Sequence, residues 1–200
     1  MKIIRSVNNE KNPVGNTGEF FIVHHTGSSA PDENQTKHLN NDDYVSCHFG
    51  IDRRGRIIAL MDTDRIAYHC GVSTWKGSEA KNKKVFNPYT GESFFLSGMN
   101  PISLGVEIYS DGENFTKSQQ KSCEKLLAWW CVKSGKPVQN ILRHADIAPS
   151  RKWDIGPNFY TKKYGSWSGF QDAVKKRIEM IKRHFDTVDE SIEIVYKKSN

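Results

Sequence analysis

The chain has 200 residues and carries 29 Lys and Arg against 23 Asp and Glu, a formal net charge of +6. This length allows one domain with at most a small appendage, and 36% hydrophobic residues are enough for one buried core. The apolar runs fall far short of the ~20 residues a membrane span needs, and 11% aromatic residues, five Trp among them, exclude a disordered chain.

In chain order, the amino terminus comes first. Arg5 interrupts the apolar pair Ile3 and Ile4, so no signal peptide is predicted and cytosolic synthesis is expected. Residues 1–18 read as a loop segment. Glu19 to His24 is an apolar run of strand formers, and a weakly signalled helix follows near 33–40. Cys47–Asp52 and Arg56–Met61 read as strands joined through Arg53, Arg54 and Gly55, which fits a hairpin. Residues 76–101, rich in Lys, Asn, Gly and Pro, read as a long surface loop. Ser103–Tyr109 is a further strand, with Glu107 inside it.

A helix is predicted from Thr116, where Thr116 and Gln119 have capping-box spacing. Cys123, Leu126, Leu127, Trp130 and Cys131 then recur at helical intervals until Gly135 and Pro137. Cys123 and Cys131 read as small core residues. With Cys47 and Cys70 they are expected to be reduced, and none of the four lies in a Cys-x-x-Cys pair. A second helix, from about Ser168, carries the stripe Phe170, Val174, Ile178, Ile181 and Phe185 and is expected to pack on the domain. Residues 187–200 form a charged tail, in which Ile192–Tyr196 either adds an edge strand or stays mobile. The expected fold is α/β, a central mixed β-sheet flanked by α-helices, with 19–186 as the catalytic domain.

The chemistry-bearing residues gather at strand ends. His24 and His25 close a strand and open a loop. Neighbours on a strand point to opposite faces, so one member each of Cys47-His48 and His69-Cys70 is expected to be buried. The densest segment is Leu142–Pro157, with His144, Asp146, Arg151, Lys152 and Asp154 around Pro149. It reads either as a charged turn or as a loop that returns Asp154 to His144. Two His from different strands and one carboxylate would make a three-ligand zinc site with a fourth position open, the pattern of catalytic zinc. Asp146 is a candidate for orienting an imidazole.

Five stretches, in this order, resemble the zinc-dependent type-2 N-acetylmuramoyl-L-alanine amidases and their relatives, the peptidoglycan recognition proteins. They are Phe21–Thr26, Val45–Gly55, Ala67–Ser73, Ser103–Ile108 and His144–Pro157. The resemblance covers about residues 19–160. It implies the fold of that family and one zinc per chain, held by His24, His144 and Asp154, with His25 not a ligand. It further implies catalytic roles for Glu107 and Lys152, and places His69 and Trp75 in stretches that line the substrate cleft. Cys47 stands where another branch carries Tyr, so that branch's chemistry does not transfer. Trp153 and the 76–101 stretch depart from shorter relatives.

The implied reaction is cleavage of the amide between N-acetylmuramic acid and L-alanine, with peptidoglycan as partner. No nucleic-acid motif is present, no stable membrane association is expected, and a monomer is expected. The +6 charge favours an endolysin acting on an insoluble anionic wall after release. The alternatives are a cytosolic amidase that recycles muropeptides and a non-catalytic peptidoglycan-binding module.

Overall fold

The computed structural model describes residues 1–6, 11–42, 44–185 and 194–196. A seven-stranded sheet forms from β1 (Ile3–Arg5), β2 (Phe20–His25), β3 (Phe49–Ile51), β4 (Ile57–Ala59), β7 (Ser103–Ile108), β8 (Ile141–Arg143) and β9 (Ile194–Tyr196). Its order is β8-β2-β7-β3-β4-β1-β9. All neighbours are parallel except the β3–β4 hairpin, so the sheet is mixed, as the sequence implies. The helices are α1 (Asp32–Asn41), α2 (Lys117–Ser134), the single turn α3 (His144–Ile147), α4 (Pro157–Tyr164) and α5 (Trp167–Phe185). Between β4 and β7 stands a separate hairpin, β5 (Ala80–Asn87) and β6 (Glu92–Gly98).

The two faces of the sheet have different tasks, and the alternation of β2 shows why. Every residue of β2 is buried. Phe21 and Val23 join Val106, Ile108, Phe49 and Ile51 in the main core, which α2, α4 and α5 cover with Leu126, Leu127, Trp130, Phe159, Phe170 and Val174. Phe20 and Ile22 face the other way, with Cys70, Met99, Ile102, Leu142 and Ile147. The period of two therefore sends His24 to the second face and His25 to the first. Helix α2 begins as predicted: Gln119 N donates to Thr116 Oγ1 (3.1 Å) and Thr116 N to Gln119 Oε1 (2.9 Å). Gly135 closes it at φ 70°. Cys123 and Cys131 are free and buried in the main core, in line with their helical spacing.

Three segments differ from the sequence-based expectation. Ile3–Arg5 is a strand between β4 and β9, although residues 1–18 read as loop. Three residues flanked by charge carry little local signal, and pairing with β4 decides the conformation. The 76–101 stretch is a hairpin whose Val85 is buried while Phe86 and Phe95 are exposed. Lys and Asn mask that alternation in the sequence. Helix α4 is the third; Gly156 and Pro157 supply an N-terminal Pro signal for it. Ile194–Tyr196 pairs with β1 at the sheet edge, whereas the rest of the predicted 187–200 tail and the side chain of Phe185 lie outside the described residues. No helix among the described residues is long and apolar enough to cross a membrane.

Candidate metal centre

The site sits at the carboxyl ends of the parallel strands β2, β7 and β8, where open α/β sheets present ligand sites. His24 of β2 and Glu107 of β7 are register partners, side by side on the second face. His144 follows β8 directly and opens α3. The chain then turns through Pro149, and the Asp154 carbonyl accepts from Ala145 N, which carries the Asp154 carboxylate back to His144. Of the two readings of Leu142–Pro157, the structure has the returning loop.

Three donor atoms converge. His24 Nδ1 lies 2.9 Å from His144 Nδ1, and Asp154 Oδ2 lies 3.1 Å from His144 Nδ1 and 3.4 Å from His24 Nδ1. All three residues are buried. Burial pushes His24 down to about 4, against the pull of its hydrogen bond with Asp154. Burial alone would raise Asp154, but hydrogen bonds and charge from His144 and His24 outweigh it and hold the carboxyl well below the usual range. At neutral pH, His24 is thus a neutral imidazole and Asp154 a carboxylate. With at most one proton to bridge each contact, spare lone pairs point at one another. That chemistry fits a divalent cation.

Glu107 is buried beside this cluster, and its Oε2 has no hydrogen-bond partner among the described residues. Burial and the Asp154 charge push it up to about 8, with Lys152 opposing. A buried carboxyl with a displaced pKa in a cleft is a marker of a functional site. Lys152 is half-buried and near enough to act electrostatically on both Glu107 and His24.

The remaining sequence candidates fall as follows. His69 is buried with Nδ1 2.9 Å from His24 Nε2, inside the cluster. Trp75 packs against the second-face cluster around Met99 and Ile102, with Lys76 Nζ 4.6 Å above its ring. Asp146 pairs with no imidazole among the described residues; it accepts from Arg143 N (2.8 Å) and pairs with the Arg143 guanidinium. Its short side chain at the third position of α3 reaches the preceding backbone first. His25 points to the first face, where its ring lies 4.9 Å from the exposed Trp153. Cys47 is buried with Leu39, Ile58, Leu60 and Tyr109, and burial and the Glu107 charge push its thiol well up.

Sequence reasoning misses the supports. His144 Nε2 lies 3.1 Å from the Cys70 carbonyl, which also accepts from Arg151 (2.8 Å). Asn100 Oδ1 accepts from both His69 N (3.2 Å) and Cys70 N (2.8 Å). A backbone carbonyl leaves no sequence signal, and Asn100 lies within the 76–101 stretch that reads as loop.

Fold and site together define a class: mixed-sheet α/β domains that set a His-His-carboxylate cluster beside a buried Glu at the carboxyl ends of parallel strands. The N-acetylmuramoyl-L-alanine amidase family matches residues 14–157, and the chain belongs to that family. It is 29% identical over 133 residues to the 1,6-anhydro-N-acetylmuramyl-L-alanine amidase AmpD of Escherichia coli, covering 66% of this chain and 60% of that one. The chain spans 52–60% of the length of three such AmpD relatives. Among solved structures, an AmpD selenomethionine derivative aligns with TM-score 0.62 at 21% identity, over 84% of this chain and 92% of that chain. The Escherichia coli amidase AmiD, in complex with anhydro-N-acetylmuramic acid-L-Ala-D-γ-Glu-L-Lys, aligns with TM-score 0.60 at 22% identity, over 78% and 57%. These likenesses bear out the predicted fold.

Proposed function

We propose that this chain is a zinc amidase that hydrolyses the amide between N-acetylmuramic acid and L-alanine in soluble anhydromuramyl peptides, in a cytoplasmic recycling setting. The observation that carries the reading is the convergence of His24 Nδ1, His144 Nδ1 and Asp154 Oδ2 beside the unpaired Glu107. Zinc binds imidazole nitrogen and carboxylate oxygen at about 2.0–2.2 Å, so tetrahedral donors sit ~3.3 Å apart. The donor separations here, 2.9–3.4 Å, fit one zinc per chain. When bound, zinc supplies Lewis acidity toward water and toward the scissile carbonyl.

The chain's own residues supply proton transfer and charge. His24, His144 and Asp154 would hold the cation, and the Asp154 charge that helps raise Glu107 would then be offset, with Lys152 already opposing the effect of burial. Glu107, buried beside the cluster, is the carboxyl placed to take a proton from the attacking water and return it to the leaving amine. Lys152, close to the same group, offers a positive charge to the oxyanion that develops on the carbonyl.

The +6 charge by itself favours an endolysin on insoluble wall. The relatives named as 1,6-anhydro-N-acetylmuramyl-L-alanine amidases support the recycling reading instead. The retained donor set and Glu107 speak against a non-catalytic module. Cleavage of a soluble anhydromuramyl tripeptide, followed by mass spectrometry, is compared with turbidity loss of intact sacculi. The proposal expects release of free peptide from the soluble fragment, with little effect on sacculi. Rapid clearing of sacculi and no cleavage of the fragment would return the endolysin.

A further inference from the structure

We infer that His69 is a positioning residue for the metal centre: it fixes the tautomer and the ring orientation of His24 by accepting a hydrogen bond from His24 Nε2. The inference rests on the zinc reading above and concerns how the site is held. His24 offers Nδ1 to the donor cluster, so its proton belongs on Nε2. That atom is buried and lies 2.9 Å from His69 Nδ1, with the two rings at 89°. An imidazole nitrogen accepts only when its own proton is on the other nitrogen. His69 Nε2 finds its acceptor in Ser103 Oγ at 3.4 Å, and Ser103 Oγ donates onward to the Met99 carbonyl at 2.8 Å. The chain of donors runs from His24 through His69 and Ser103 to a backbone carbonyl. Every side chain in it is buried.

Two further features hold His69 there. Asn100 Oδ1 ties down the backbone at both His69 and Cys70. Gly105 lies beneath the ring, and a Cβ at that position would come within 2.6 Å of His69 Nδ1. The same two-residue segment also supports His144, through the Cys70 carbonyl. Residues 69 and 70 therefore supply the outer partner of each histidine ligand. Partners of this kind typically affect metal affinity by about 10–100-fold.

The test is zinc affinity by competition with a chromophoric chelator, on the full chain, for wild type, His69→Phe, His69→Asn and Gly105→Ala. Phe keeps the ring but leaves His24 Nε2 without an acceptor. Asn places an oxygen near the former Nδ1. Zinc affinity is expected to fall about 10–100-fold in His69→Phe and in Gly105→Ala, with most of it recovered in His69→Asn. In the zinc-loaded wild type, a protected His24 Nε2 proton should appear in imidazole nitrogen NMR spectra and disappear in His69→Phe. Melting curves of the metal-free variants separate loss of fold from loss of affinity. A His69→Phe protein of wild-type zinc affinity, with KM for the muropeptide raised, would overturn the inference and return His69 to the substrate cleft. Two zinc ions per chain would also overturn it, because His24 Nε2, His69 and Cys70 would then be a second ligand set. A wild type without zinc affinity would bring down the zinc reading itself, a result distinct from the other two.

Discussion

Glu107 should make the metal-free protein less stable than a neutral isostere would. It is buried, its Oε2 has no partner among the described residues, and its pKa stands at about 8 against an ordinary 4.5. Because the folded value is raised, the group's contribution is complete below about pH 4.5 and is lost as pH rises toward 8. At pH 7 the unfolded chain is ionised about 2.5 pH units above its pKa, while the folded carboxyl is still largely protonated. At about 1.4 kcal/mol per unit this costs ~3 kcal/mol as an upper figure. Glu107→Gln keeps size and shape without the titration. In metal-free protein at pH 7 it should therefore raise stability by roughly 1–3 kcal/mol, or about 2–12 °C in Tm for a chain of this size. The same variant, loaded with zinc, should lose ~10²–10⁴-fold in turnover. Urea denaturation of both proteins in chelator, between pH 4.5 and 8, gives the comparison. A gap that opens with rising pH supports the reasoning; a constant gap, or a less stable variant at pH 7, refutes it.

Gly50→Ala should destabilise by about 1–3 kcal/mol, since a Cβ there would lie 2.4 Å from the buried Tyr109 Oη and disturb its 2.9 Å bond with Thr36; unchanged denaturation would contradict this packing. His48, whose Nδ1 accepts from Gly105 N (3.1 Å) and whose Nε2 faces the Arg65 carbonyl (3.0 Å), is pushed by burial down to about 4. Its folded pKa is lowered, so its contribution is complete above about pH 6.5 and lost toward pH 4, up to ~3 kcal/mol. Denaturation of metal-free His48→Asn should accordingly show a shallower acid decline than wild type, and equal slopes would refute the assignment. Cys47→Ser should keep most of the activity, because the thiol packs among Leu39, Ile58, Leu60 and Tyr109, apart from the His24, His144 and Asp154 cluster; a loss of ~100-fold with zinc still bound would show chemistry at the thiol.

What the sequence reveals follows from how local each cause is. Helix α2 is legible because its capping box, apolar stripe and terminal Gly all lie within twenty residues. The β2 strand is legible because a run of Phe, Ile and Val has no other home than a buried sheet, and its alternation explains why His24 rather than His25 enters the cluster. Strand β1 is not legible, because Ile3 and Ile4 become a strand only through pairing with β4. Residues His24, His144 and Asp154 are legible as a set through the ordered motifs, yet their convergence depends on strands β2 and β8 lying side by side. The capture of Asp146 by Arg143 is a local capping contact three residues apart, whereas the placement of His69 behind His24 depends wholly on tertiary contact.

The most direct measurement is metal content and amide cleavage on the same samples of wild type and His24→Ala. One zinc per wild-type chain and release of the stem peptide from anhydromuramyl substrate are expected, with both lost in the variant and wild-type activity lost with chelator and restored with added zinc. A His24→Ala protein that keeps full zinc and full cleavage would contradict it.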